Sequence, residues 1–188
     1  KPYLLTVGSF KERKGQKQIT LGFIEAVKKI PELKYVLEGN YNNSYGDDIK
    51  KLINEAGLAH KVFFLGNISK DLLRVVYRNA TAFALLPQEV QGDTDIEGFG
   101  LVLLDAAASG LPIIASTEGP SAEAVSVGEN SILVDPHNIK AISDAIVRIC
   151  TNNALQEKMS RASLDFARYK SWDRMVDAYM PHYELHAH

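Results

Sequence analysis

The feature that most constrains this chain is an alternation kept up over most of its length. Short, continuous apolar runs are separated by segments with helical periodicity. The runs are Tyr3 to Val7, Tyr35 to Leu37, Val62 to Leu65, Thr81 to Leu86, Pro112 to Ser116 and Ser131 to Val134. They are uniformly apolar instead of alternating, as expected of strands buried on both faces of a parallel sheet. Between them, Ile19, Phe23, Ile24, Val27 and Ile30 fall on one helical face that Pro31 ends. A second helix is expected from about Asp47 to Ala56, stopped by Gly57, and Ser69 is placed to cap a third carrying Leu72, Leu73, Val76 and Tyr77. From about residue 139 the pattern is two or three helices, with Trp172, Met175, Val176 and Tyr179 as a packing stripe. This alternation predicts an α/β fold with a Rossmann-like, doubly wound, parallel six-stranded sheet. It is read as one domain over residues 1–185, with helices from about 139 and a tail at 186–188. Ligands of such sheets sit beyond the carboxyl ends of the strands, at the point where strand order reverses. In the common order that point lies between the first and fourth strands, which selects the loops Gly8 to Gly15 and Gln88 to Glu97.

Composition narrows the function classes. A net charge of −2 gives no global argument for nucleic acid. Cys150 is the one cysteine, so no intrachain disulfide forms, which fits a reducing, cytoplasmic setting. No run reaches transmembrane length and the first residues do not form a signal peptide. Because Lys1 leads almost directly into a strand, the chain is expected to be a piece of something longer. His60, His137 and His182 are isolated and lack metal-ligand spacing.

Three stretches carry chemistry. In GSFKERKGQK, Gly8 to Lys17, four basic residues (Lys11, Arg13, Lys14 and Lys17) crowd the start of a helix. That end of a helix is already positive, so they belong there if an anion arrives; a solvated charged loop is the alternative. The loop is neither a Walker A sequence nor GxGxxG, which argues against a P-loop hydrolase and a dinucleotide-dependent dehydrogenase. Next, Glu97-Gly98-Phe99-Gly100-Leu101 opens a helix whose free amides, from Gly98 to Val102, could meet an anion or hydroxyls. Glu97 is otherwise a first-turn acid complementing the dipole. Third, Asp105 is a lone charge within LVLLDAAASG and is expected to be buried with a partner. That partner is either a vicinal diol such as a ribose, or a basic residue of a nearby loop. After the fifth strand, Ser121 and Glu123 are expected to cap a short helix.

At these residues the chain resembles the C-terminal, donor-binding domain of retaining GT-B glycosyltransferases (glycosyltransferase family 4, glycosyl transferases group 1). The family's pattern of two glutamates separated by seven residues stands here as EGFGLVLLDAAASGLP, Glu97 to Pro112. RKGQ at Arg13 to Gln16, FLGNIS at Phe64 to Ser69, GENSILVDP at Gly128 to Pro136 and SWDRM at Ser171 to Met175 extend the likeness over nearly the whole chain. The resemblance implies that Lys14, with Gly8 and Arg13 in its loop, holds the diphosphate of a nucleotide sugar. It further implies that Glu97, as catalytic residue, and the amides of Phe99 and Gly100 meet the donor sugar. The Leu101 and Val102 amides would meet the phosphates, Asp105 the ribose, and the Ile68 backbone the base. It implies no metal and no cofactor beyond the nucleotide-diphosphate sugar itself. The reaction would move a hexose, mannose or glucose, to a glycan or lipid acceptor. That acceptor would be held by an N-terminal domain not present here, so this domain alone is expected to be inactive. A lipid-linked acceptor would bring the full-length protein to the inner face of a membrane. Two departures stand out: Asp105 replaces the second glutamate, and Ser9 stands where the family usually has an arginine. A non-catalytic nucleotide-sugar-binding module and a sugar-nucleotide epimerase of the same fold are the alternatives.

Overall fold

A computed structural model describes residues 2–90 and 100–184. Six strands form one parallel sheet: β1 (Tyr3–Val7), β2 (Lys34–Glu38), β3 (Val62–Gly66), β4 (Ala82–Leu85), β5 (Ile113–Ser116) and β6 (Ser131–Val134), in the order β3-β2-β1-β4-β5-β6. Among the described residues seven α-helices connect and flank them: α1 (Gln16–Ala26), α2 (Ser44–Glu55), α3 (Lys70–Asn79), α4 (Leu101–Ala108), α5 (Ile139–Cys150), α6 (Asn153–Tyr169) and α7 (Trp172–Glu184). The order reverses between β1 and β4, as the alternation implied.

Side-chain period sorts the core into two layers. Leu4, Tyr35, Leu37, Ala84 and Ile114 point to the side of α1, α2 and α5, where they meet Phe23, Ile49, Ile142 and Ile146. Leu5, Val7, Phe83, Leu85 and Ile113 point to the opposite side and meet Tyr77, Leu103, Ala106 and Ala107 of α3 and α4. With helices on each face, β1, β4 and β5 are buried on both sides, which is why their runs carry no polar alternation, while β2 alternates between fully and partly buried positions. The polar residue in the middle of β1 is matched internally: the Thr6 hydroxyl donates to Ala84 O at 2.9 Å and meets the Tyr35 hydroxyl at 2.9 Å.

Among the described residues five helices start at a side-chain cap. Asn43, Ser69, Asn138, Asn152 and Ser171 accept from the amides of Gly46, Leu72, Ala141, Leu155 and Arg174. The Asn43 cap starts α2 at Ser44, earlier than the expected Asp47. Two sequence expectations fail. After β5 the chain forms a three-ten turn, Gly119–Ala124, without a side-chain cap among the described residues; Ser121 is buried and its hydroxyl finds no hydrogen-bond partner among them. Glu123 is exposed at the same turn and takes no part in a cap there. In the expected packing stripe on α7, Val176 is 53% and Tyr179 61% exposed, so these two are not buried; the side chains of Trp172 and Met175 lie outside the described ones. No helix among the described residues is long and apolar enough to cross a membrane.

Candidate functional site

The carboxyl ends of the strands are laced together by backbone. Gly39 N donates to Gly66 O, Gly8 N to Glu38 O, and Phe10 N to Asn40 O, all within 3.1 Å, joining the loops after β3, β2 and β1. Gln88 N then donates to Arg13 O, and Gln88 Nε2 to Glu12 O, joining the loops after β1 and β4 across the switch point. Glu89 N donates to Glu118 Oε2 at 2.9 Å, and Glu118 Oε1 lies 3.2 Å from His137 Nε2, extending the rim past β5 and β6.

The approach of these loops is close enough to demand glycine. A Cβ on Gly15, at φ 71°, would lie 2.1 Å from Leu86 O; one on Gly39, at φ 125°, would lie 2.1 Å from Gly8 O. The β1 loop is therefore wedged between the ends of β2 and β4. Within it a three-ten turn, Glu12–Lys14, sends the Lys14 side chain back over Gly8, with Nζ 4.0 Å from where a Gly8 Cβ would be. Of the four basic residues read together in this loop, Lys17 goes elsewhere. It lines a hollow with Asp48, Lys51 and Glu55 of α2. Ser9 is exposed, and its carbonyl accepts from Gln16 Nε2 at 3.0 Å.

The helices that begin on either side of the switch point differ from their capped neighbours. Both α1 and α4 start from a left-handed glycine, Gly15 and Gly100, with no side-chain cap. In α1 the Lys17 amide is taken by the Tyr45 hydroxyl at 3.0 Å. In α4 the amides of Leu101 and Val102 open the helix, so an anion is favoured there.

Asp105 is half-open, not buried as expected: the residue is exposed, on a helix face shared with Leu101 and Ala108, while Leu103, Ala106 and Ala107 are buried. It faces α3 across a cavity of about 440 Å³, where Lys70, Leu73, Arg74 and Tyr77 line the other wall. Partial desolvation pushes its carboxyl above the usual carboxylate range. Arg74 is engaged with Asp71 at 2.9 Å, and among the described residues no cation pairs with Asp105. An acid in the last turn of an eight-residue helix also opposes the helix dipole. The salt-bridge alternative is thus not realised within the described residues. A larger hollow of about 490 Å³ at the α6–α7 turn is lined by Tyr169, Lys170, Ser171, Arg174 and Asp177 and contains none of the strand-end groups.

Sequence reasoning missed Glu38, the last residue of β2. Burial pushes its carboxyl up, and the nearby Ile68 amide pulls the other way. The signal was available: a carboxylate directly after the apolar run Tyr35 to Leu37, at the carboxyl end of the strand. Tyr77, buried between α3 and β4, has its phenol pushed far up by burial, then by the nearby carboxylates of Asp105 and Glu38. It stays protonated and points toward Val102 O, at 3.5 Å. The expected site residues Gly8, Arg13, Lys14, Ile68, Gly100, Leu101, Val102 and Asp105 all occupy the loops and helix starts at the strand ends or the groove between α3 and α4. Glu97 and Phe99 lie outside the described residues. No group of three or more His, Cys, Asp or Glu side chains converges among the described residues.

The model of the family described as glycosyl transferases group 1 matches residues 1–165. The chain belongs to that family. A relative from Mycobacterium tuberculosis, a GDP-mannose-dependent alpha-(1-6)-phosphatidylinositol monomannoside mannosyltransferase, is 24% identical over 94% of the chain and 46% of its own length. The solved structure of a sucrose-phosphate synthase from Thermosynechococcus elongatus superposes with a TM-score of 0.79 at 27% identity, covering 99% of this chain and 46% of that one. The C-terminal domain of a group 1 glycosyl transferase from Francisella tularensis superposes with a TM-score of 0.77 at 24% identity, covering 89% of this chain and 85% of that domain. The six-stranded parallel sheet is thus that of GT-B glycosyltransferases. The chain spans about half the length of the curated relatives it matches.

Proposed function

We propose that this chain is the donor-binding half of a retaining glycosyltransferase that moves a hexose from a nucleotide-diphosphate sugar to a glycan or lipid acceptor. The observation that carries the reading is Asp105: an acid without a cation partner among the described residues, open to a cavity on a helix with an uncapped start that follows β4, the sheet neighbour of β1 and its Gly8–Lys14 loop. In this reading Lys14 and the Leu101 and Val102 amides take the diphosphate, and Asp105 takes the vicinal ribose hydroxyls. A carboxylate accepts two hydrogen bonds from a diol without adjustment. As the bond from sugar to diphosphate breaks, negative charge grows on the leaving phosphate, and fixed donors aimed at it lower the barrier. Glu97 is the group proposed to face the sugar. A GDP-mannose-dependent relative supports a nucleotide-sugar donor, with mannose or glucose as the hexose. The acceptor would bind a second domain, and the chain alone would hold donor without turning it over.

Asp105→Asn tests the ribose contact. It is expected to weaken a nucleoside diphosphate about tenfold. A counterpart lacking both ribose hydroxyls should bind the wild-type chain as weakly as it binds the variant. Equal loss on removing the hydroxyls in both proteins would defeat the assignment. The variant also has a stability signature. Because the folded chain raises the Asp105 pKa, its ionised form is disfavoured on folding. Stability is therefore lost as pH rises from the unfolded chain's carboxylate pKa through the higher folded value. Without nucleotide, Asp105→Asn should raise Tm by about 1 °C at neutral pH and leave it unchanged once Asp105 is protonated in both states.

A further inference from the structure

We propose that Glu38 reads the base of the bound nucleotide and selects guanine, the base that offers a carboxylate two adjacent N–H donors. The inference rests on the donor-site reading and concerns a residue that reading does not use. Glu38 ends β2 at the carboxyl edge of the sheet, opposite Val7 of β1 and Gly66 of β3. The β2–β3 register shifts there because β3 carries the extra residue, Leu65, while the pairing of β2 with β1 runs unbroken through Val7 and Glu38. By alternation Glu38 belongs to the face of Val36, the layer that holds Tyr77, Leu73 and α4, and not to the face of Tyr35 and Leu37. Glu38 thus extends the layer in which Val36, Leu73 and Tyr77 pack, and Tyr77 lines the cavity shared with Asp105. The Ile68 amide and the Tyr77 phenol both act on, or respond to, the Glu38 carboxylate electrostatically, and among the described residues no cation pairs with Glu38.

The order of these groups matches the order of parts in a nucleotide. Diphosphate lies at Lys14 and the start of α4, ribose at Asp105, and the base next, toward Ile68 and Glu38. A carboxylate can only accept, and its two oxygens offer about four acceptor positions. Guanine presents its ring N–H and exocyclic amine side by side, a bidentate match of the charge-assisted kind. Uracil presents one N–H flanked by two carbonyl oxygens, which a carboxylate repels. Adenine presents an amine beside a ring acceptor, which leaves one oxygen opposed to a lone pair.

The test is calorimetric titration of the chain with GDP, UDP and ADP, repeated on Glu38→Gln. The wild-type chain is expected to bind GDP about tenfold or more tightly than either rival. Glu38→Gln, of the same size but bringing an amine where guanine brings its own, should collapse the GDP-to-UDP ratio to within about twofold. The ratio is its own control, since partial misfolding lowers both affinities alike. If Glu38→Gln does not fold, Glu38→Asp should lower the ratio by a smaller factor, and an unchanged ratio overturns the inference. Nucleotides that bind with equal affinity in the wild type, or a ratio that survives Glu38→Gln, overturn the role of Glu38 and leave the donor site standing. Failure of all three to bind overturns the donor site and this inference together.

Discussion

Lys14→Ala is expected to weaken nucleoside diphosphate binding by roughly ten- to hundredfold, the loss of a charge-assisted contact to phosphate. In the full-length enzyme it should lower kcat by about 10² to 10³, since the same ammonium would meet the charge that grows on the leaving diphosphate. The geometry behind this is the three-ten turn Glu12–Lys14, which folds the side chain over Gly8 at the end of β1. Lys17→Ala is the internal control. It removes an equal charge from the same stretch of sequence, but Lys17 lines a hollow against Asp48 and Glu55. It should change affinity by less than about twofold, because charge at a distance in water is screened. Equal losses from both variants would mean that the loop acts as a diffuse basic patch, contrary to the arrangement described above.

Gly39→Ala should be the most destabilising single change at the rim. Its φ of 125° is one that L side chains rarely adopt, and the added methyl would meet the Gly8 carbonyl oxygen at 2.1 Å. Backbone on both sides cannot move without breaking the Gly39–Gly66 and Gly8–Glu38 hydrogen bonds. Left-handed strain and overpacking together cost about 2–5 kcal/mol. That corresponds to a Tm loss of roughly 5–15 °C in a domain of this size. Gly57→Ala separates the two contributions. Gly57 also has a positive φ, 69°, but nothing lies within 4 Å of its Cβ position. It should lose only about 2–4 °C. Similar Tm changes in a thermal melt of the two variants would contradict the close approach of the β1 and β2 loops.

The fold was legible because a doubly covered parallel sheet writes itself as uninterrupted apolar runs. Two of them, Tyr3–Val7 and Ser131–Val134, match the strands residue for residue. Helix starts were legible where a side chain makes the cap, as at Ser69, and less so at Asn43, where the cap lies in a polar loop that hides it. Asp105 was legible as the odd charge, but its burial was misjudged. The small and apolar residues around it disguise an exposed face of Leu101, Asp105 and Ala108; the 63% exposure of Leu101 shows that apolar composition on all sides does not mean burial on all sides. Lys17 was grouped with Lys14 by adjacency, which cannot show that α1 turns it toward α2. Glu38 was passed over as a strand terminus, because the groups it acts on, Ile68 and Tyr77, are far from it in sequence and only the fold brings them near. The stripe at Val176 and Tyr179 has helical period, but period alone does not say whether another surface covers it.

The central claim is that the strand ends and the α3–α4 groove form a nucleotide site, and direct calorimetry of the chain with nucleoside diphosphates tests it. At least one of GDP, UDP and ADP should bind at one site per chain, and Lys14→Ala and Asp105→Asn should each weaken it. No heat of binding from any of the three, nor from their sugar conjugates, at millimolar concentration would contradict it.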